Sequence, residues 1–369
     1  MSVEDFLNKM IELNASDLFI TVGKPACVKV NGSIVNLEGP ELTPEKAKEM
    51  VLGLMEEKQQ KEFLEKKEYN FAIKTKSSGR FRVSAFFERF NVGAVIRSIL
   101  TEIPSLEQME LPKILGDLAM IKRGMVLVVG ATGVGKSTTM ASMLGYRNHN
   151  SSGHIVTIED PIEYIHQHDK CVITQREVGV DTESYGLALK NTLRQAPDVI
   201  LIGEIRSSDT MEYAIQFSET GHLCLATLHA NNANQALDRI INFFPAIKHS
   251  QIWLELSLNL KAVVGQQLIN RIDKPGRVPA FEILLNTPIV QQCIRNGKIE
   301  ELKEYMSKGR SVGMQTFDQA LFDLYKAKKI TYEDALRYAD SENELRLMIR
   351  LDKGTNDDVG SLNGVGLKE

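Results

Sequence analysis

Apolar positions along this chain recur with two different periods, and the change from one to the other divides it. Val3, Phe6, Leu7 and Met10 fall on one helix face, behind a Ser2-x-x-Asp5 capping box that satisfies the first orphan N–H groups. Leu18 to Val22 and Cys27 to Val30 read as strands. Asn31-Gly32 between apolar runs marks a hairpin turn, with Ile34 and Val35 beginning the return. Thr43-Pro44 opens a helix, since proline suits the first helical position. Phe81, Val83 and Ala85 alternate with Arg80, Arg82 and Ser84, which puts Arg80 and Arg82 on one strand face, opposite the apolar one. Residues 1–103 thus predict a small α+β domain.

Two prolines among polar residues between Ile103 and Pro112 predict a linker at 104–112. From about Lys113 the order becomes strand, glycine loop, helix, strand, helix. Met125–Val129, His154–Ile158, Val199–Ile202 and Leu223–Thr227 are short, nearly continuous apolar runs, as expected of strands covered on both faces. Their alternation with helical segments predicts a mostly parallel sheet in an α/β core spanning 113–286. Residues 287–351 read as helical. Thr316-x-x-Gln319 is a capping box, Phe317, Ala320, Leu321, Leu324 and Tyr325 mark one face, and Thr331-x-x-Asp334 starts the next helix. After Leu351 the chain turns to Gly, Asn and Asp, which predicts a disordered tail over 352–369. No internal repeat is visible.

Composition narrows the function classes. The 369 residues suffice for two or three domains, and a net charge of -4 gives no general attraction to nucleic acid or anionic lipid. Cys27, Cys171, Cys224 and Cys293 lie far apart and outside any C-x-x-C pair, so they read as reduced core thiols rather than a zinc site or disulfide framework. The N-terminus lacks a signal pattern, and no apolar run approaches the roughly 20 residues needed to span a bilayer. The expectation is a cytoplasmic protein with no direct membrane insertion, reaching a membrane only through a partner.

The strongest chemical signal is Gly130-Ala131-Thr132-Gly133-Val134-Gly135-Lys136-Ser137, which matches G-x-x-x-x-G-K-[ST] between an apolar strand and a helix. Glycines let backbone N–H groups turn inward around phosphate oxygens, and the helix that starts at Lys136 and continues through Thr138 adds its positive end. Lys136 is assigned to the β- and γ-phosphates of ATP and the Ser137 hydroxyl to Mg²⁺. Val199-Ile-Leu-Ile-Gly203-Glu204 is a buried strand ending in a carboxylate, the place from which an acid reaches the Mg²⁺ shell. Ile158-Glu159-Asp160-Pro161-Ile162-Glu163 puts three carboxylates beside a phosphate site, where one can act as base or orient water. His222 and His229 flank the strand Leu223–Thr227 and suggest phosphate sensing, whereas His166 and His168 read as surface residues. Arg80, Arg82 and Arg97 are candidates for action in trans on another subunit's ATP; a solvated surface role is the alternative for them. A helicase or DNA translocase is disfavoured by the negative charge and by the lack of a basic, aromatic strand-binding stretch.

Several of these motifs jointly resemble the type IV pilus retraction ATPases, within the wider class of secretion and pilus-assembly ATPases. Ile158–Glu163 is similar to that family's Asp box and Gly221-His-Leu-Cys-Leu-Ala-Thr-Leu-His229 to its His box. Ala196-Pro-Asp-Val-Ile-Leu-Ile-Gly-Glu204-Ile-Arg206 is similar to its Walker B segment. Ala15-Ser-Asp-Leu18, Arg80-Phe-Arg82 and Gly313-Met-Gln-Thr-Phe-Asp318 add to the resemblance, which covers residues 1–351. It implies an N-terminal PAS-like α+β domain, then a RecA-like P-loop ATPase domain with a helical C-terminal part, in a homo-hexameric ring. ATP would lie between domains, with Glu163 the catalytic carboxylate, Glu204 the Walker B acid, and arginines of the small domain or a neighbour reaching the nucleotide. The implied partners are an inner-membrane pilus platform protein and a companion retraction ATPase; the implied location is peripheral to the inner membrane, through the pilus machinery. Assembly ATPases of this class carry an additional N-terminal domain and usually a C-x-x-C motif; neither is read in these 369 residues, so the expectation is a retraction-type member. Where retraction ATPases carry a helix Ala-Ile-Arg-Asn-Leu-Ile-Arg-Glu, this chain has Cys293-Ile-Arg-Asn-Gly-Lys-Ile-Glu300, so it looks more like the member that assists retraction.

Overall fold

The structure is a computed structural model that describes residues 2–30, 32–75, 79–99 and 102–354. It forms two compact units. One reaches to Ile103 and also takes in Asp160–His166 and Gln175–Ser184; the other holds Pro104–Glu159, Gln167–Thr174 and the chain from Tyr185 onward. The sequence pattern at 103–113 carries no hint of those two excursions into the first unit.

The first unit begins with α1 (Val3–Glu12), β1 (Asp17–Ile20), β2 (Cys27–Val30) and β3 (Ser33–Asn36). It continues with α2 (Pro44–Leu52), α3 (Glu57–Lys66), β4 (Glu68–Lys74), β5 (Arg80–Glu88) and β6 (Asn91–Ile99). The Ser2–Asp5 capping box forms, and Pro44 sits in the first turn of α2 behind Thr43 as N-cap. β2 and β3 pair antiparallel as a hairpin; Asn31 of its expected turn lies outside the described residues. The strands make a six-stranded antiparallel sheet in the order β3-β2-β1-β6-β5-β4. Leu7, Met10, Leu18, Phe63, Phe81 and Val83 are among its buried core. β1 starts one residue earlier than the apolar run, because Asp17 pairs across the ladder with Arg97.

The second unit opens with α4 (Ile114–Ala119), β7 (Gly124–Val129), α5 (Lys136–Asn150), β8 (Gly153–Glu159) and β9 (Cys171–Glu177), whose last residues belong to the first unit. Then come α6 (Tyr185–Thr192), β10 (Val199–Ile202), α7 (Ser208–Glu219), β11 (Leu223–Leu228), α8 (Ala233–Ile241) and α9 (His249–Asn259). The sheet runs β13-β12-β7-β11-β10-β8-β9, with β12 (Leu260–Asn270) and β13 (Arg277–Leu285) forming one side. The five central strands pair in parallel, and β13 runs antiparallel to β12. All four strands expected from apolar runs are present, and β7, β10 and β11 are buried at every position. β12 and β13 went unread because Gln266, Gln267 and Glu282 interrupt their apolar pattern.

The chain closes with α10 (Pro288–Arg295), α11 (Leu302–Lys308), α12 (Phe317–Lys326), α13 (Tyr332–Tyr338) and α14 (Glu342–Gly354). Both the Thr316 and Thr331 caps form. Residues 352–354 of the expected tail continue α14, and Asp352 pairs with Lys326; residues 355–369 lie outside the described residues. α10 stops at Arg295 and Gly297 takes φ +68, the left-handed conformation that suits a residue just past a helix end.

Candidate nucleotide site

Parallel strands end on one edge of the second unit's sheet, and the chemistry gathers there. Register places Val129 beside Leu228, and Ile202 beside both Ala226 and Ile158. Gly130, His229, Gly203 and Glu159 therefore leave the sheet on the same side. The loop Gly130–Gly135 joins β7 directly to α5, with Gly135 as N-cap at φ +89. A Cβ on Gly130, at φ +155, would stand 2.6 Å from the Gln266 carbonyl oxygen and 2.8 Å from Val134 Cγ2. Only glycine lets the loop leave β7 so close to β12.

Lys136 is buried, and its Nζ donates to the carbonyls of Gly130 and Ala131 at 2.8 Å each. The ammonium is thus held over the loop rather than in solvent. Ala131, Thr132 and Gly133 are exposed at the loop's crest; Val134, Ser137 and Thr138 are half-buried. The first N–H groups of α5, with their partial positive charge, point to the same side.

Glu204 leaves β10 two strands from the loop. Its carboxylate, 15% exposed, lies 3.2 Å from His229 Nε2 and 2.7 Å from an Arg206 terminal nitrogen. Thr227 Oγ1 donates to the Gly203 carbonyl and fixes the turn that carries Glu204. His222 is at the far end of β11, where its Nδ1 meets Thr220 Oγ1 and the Phe217 carbonyl. The expected pairing of two histidines at the phosphate edge is corrected: one strand cannot bring both its ends to one edge, and His229 alone stands there. His166 is half-buried rather than on the surface, and burial lowers its pKa to about 4; His168 is exposed.

Among the described residues no three His, Cys, Asp or Glu side chains converge as a metal cage. One hydroxyl at Ser137 and one carboxylate at Glu204 are a donor set suited to Mg²⁺ delivered with phosphate oxygens and waters, not to a metal held by protein alone.

In the first unit, Arg82, Arg97 and Glu163 line one cavity of about 730 Å³, together with Ser16, Ser98 and Glu102. Arg82 and Arg97 are direct cross-strand partners, an unfavourable placement for two like charges. Buried Asp17 offsets one of them: Arg97 Nε donates to its Oδ1 at 2.8 Å and Ser16 Oγ to its Oδ2 at 2.8 Å. Arg82 has no hydrogen-bond or ion-pair partner among the described residues. Glu163 is exposed between two anchored neighbours. The Ile162 N–H donates to buried Glu177, and the Tyr164 carbonyl accepts from Gln175 Nε2. Arg80 shares the strand face but is not part of the cavity lining.

The family described as "Type II/IV secretion system protein" matches residues 2–346. The chain belongs to this family. The type IV pilus ATPase PilU of Pseudomonas aeruginosa is 58% identical over 365 residues, covering 99% of this chain and 95% of that protein. The retraction ATPase PilT of the same organism is 38% identical over 335 residues, covering 91% and 97%. A crystal structure of the pilus retraction motor PilT with bound ADP superposes with a TM-score of 0.89 at 39% identity, over 94% of this chain and 100% of that one. This type II/IV secretion family member is an ATPase that binds nucleotide. Its fold is the expected one, a PAS-like N-terminal domain followed by a RecA-like P-loop domain with a helical C-terminal part.

Sequence reading missed three polar residues of this family member. Asp17 stood inside a quoted motif without a role. Gln266 and Glu282 had one available signal, polar side chains inside apolar strand runs. Glu282, on β13, is 2% exposed, and its Oε1 accepts the first N–H of α8, from Ala233, at 2.6 Å. Burial raises its pKa to about 7 against that hydrogen bond, with Asp340 and Asp318 raising it and Lys303 lowering it. The folded state therefore keeps a proton that the unfolded chain releases between about pH 4.5 and 7, so stability falls as pH rises through that window. The penalty above pH 7 is on the order of 3 kcal/mol. Glu282→Gln retains an acceptor oxygen and no charge, so its unfolding midpoint should exceed wild type by more at pH 8 than at pH 5. An equal gain at both pH values contradicts this account.

Proposed function

We propose that the protein is a motor ATPase of the type IV pilus, working as a homo-hexameric ring that powers or assists pilus retraction and twitching motility. The observation that carries it is the full-length likeness to PilU and PilT, combined with a phosphate loop, Glu204 and His229 on one sheet edge. Gly130–Thr138 cradles the phosphates of ATP, Lys136 neutralises charge on the β- and γ-phosphates, and Ser137 with Glu204 takes Mg²⁺. The metal supplies charge neutralisation when bound; His229 steadies the Glu204 carboxylate. Arg82 and Arg97 act in trans on the ATP of a neighbouring subunit, and Glu163 in the same cavity orients or deprotonates the attacking water. Arg80, on the same strand face but outside the cavity lining, is the third candidate for action in trans. Nucleotide shifts domain positions only through contacts that differ between states, and sequential closure around the ring would pass motion to an inner-membrane platform protein.

In this reading the protein works in the cytoplasm, at the inner membrane through the pilus machinery. No helix among the described residues is long and apolar enough to cross a membrane. A strain lacking the gene should lose or slow pilus retraction and recover it with the intact gene, and the purified chain should assemble six to a particle. Normal retraction without the gene would remove the proposal.

A second reading is favoured by one observation, the end of α10 at Arg295 just before Gly297, in the segment where the resemblance implies a continuing helix. The protein would then be chiefly an interaction subunit for a companion retraction ATPase, its own hydrolysis dispensable.

A further inference from the structure

Buried amides are costly unless both ends are bonded, and Gln266 of β12 is 1% exposed. Both ends are bonded, and both bonds go to the nucleotide loop and its helix. Nε2 donates to the Val134 carbonyl at 2.8 Å, and Oε1 accepts from Thr139 Oγ1 at 2.8 Å. Thr139 is fully buried in the first turn of α5. The backbone on this strand is equally close: the Gln266 carbonyl oxygen abuts Gly130, and Nε2 would lie 3.1 Å from a Cβ on Gly135. One side chain therefore braces the loop near its end and the helix near its start.

The direction of these bonds gives the brace a purpose. In a trans peptide the C=O and the following N–H point opposite ways. Holding the Val134 carbonyl against β12 turns the Gly135 N–H away from β12, to the side where the α5 N-terminus and Lys136 face an anion. Fixing the Thr139 hydroxyl sets the rotation of the first helical turn relative to that N–H. We propose that Gln266 is a positioning residue for phosphate binding, one that aims the Gly135 N–H at the nucleotide through the Val134 peptide. The proposal rests on the nucleotide reading of the loop. It requires an amide specifically, because the loop end needs a donor and the helix end an acceptor. A carboxylate supplies only acceptors and would face the Val134 carbonyl, whereas a thioether supplies neither bond.

The test uses the full-length protein, with ATP turnover and ADP binding as readouts. Gln266→Met should raise the KM for ATP and the Kd for ADP about tenfold, the size expected for losing one well-placed hydrogen bond, with kcat within about twofold of wild type. Gln266→Glu should bind ADP weakly at pH 8. Relative to wild type it should recover towards pH 6, where the protonated carboxyl regains a donor; Gln266→Met should show no such recovery. Wild-type ADP affinity in Gln266→Glu at pH 8 overturns the proposal. So does a parallel fall in kcat and unfolding midpoint with KM unchanged, the pattern of a merely structural residue. Should Gln266→Met fail to fold, the nearly isosteric Gln266→Glu and the smaller deletion Thr139→Val carry the test. Unchanged ADP affinity in Lys136→Ala would instead count against the nucleotide reading itself, so the two failures are distinguishable.

Discussion

Lys136→Ala should reduce ATP turnover by about 10²–10³-fold or more, the scale on which one preorganised charge at a reacting phosphate acts. The loss has two parts. The phosphates lose the cation that opposes their charge where water is thinned by a buried setting, and the carbonyls of Gly130 and Ala131 lose the donor they share. Folding should survive, because alanine is the best helix former and residue 136 opens α5 rather than carrying the core. A steady-state assay on the purified variant checks this, and a wild-type rate would sink the chemical assignment. The same variant separates the two functional readings. Placed in a strain lacking the gene, it should fail to restore motility if the protein is a motor in its own right. Full motility with the dead variant would assign it to support of a companion ATPase.

What the sequence revealed follows from where each kind of information is stored. Buried parallel strands announce themselves, since both faces are covered and apolar residues run together; β7, β10 and β11 were found that way. A phosphate loop is equally visible, because its glycines answer a local backbone demand at Gly130 and Gly135. Caps at Ser2, Thr43, Thr316 and Thr331 are local as well. Strands β12 and β13 were hidden because their polar residues satisfy partners far along the chain. Gln266 bonds Val134, 132 positions away, and Glu282 bonds Ala233, 49 away. The same non-locality explains His222: the residues flanking a strand are adjacent in sequence terms but lie at opposite edges of a sheet. It also explains the excursions of 160–166 and 175–184 into the first unit, which no boundary signal at 103–113 records.

Glu163→Gln should lower kcat by about 10²–10⁴-fold while leaving nucleotide affinity within a few-fold of wild type. Within the acidic turn, Glu159 and Glu163 stand in different surroundings. Glu159 ends β8 and accepts from Thr157 Oγ1 at 2.6 Å, so its charge is already engaged within the sheet. Glu163 is exposed, held by its neighbours' backbone bonds, and shares a cavity with Arg82 and Arg97. Glu163 shares its cavity with two guanidiniums, and in the proposed role it takes a proton from water while they oppose charge that develops on a phosphoryl group. Glutamine keeps the size and the hydrogen-bonding reach but cannot accept a proton, so a base should be lost without the binding site. Turnover and ADP binding measured together decide the matter. A fall in affinity equal to the fall in kcat would mean that residue 163 only balances the arginine charge, and the attacking water would need another base.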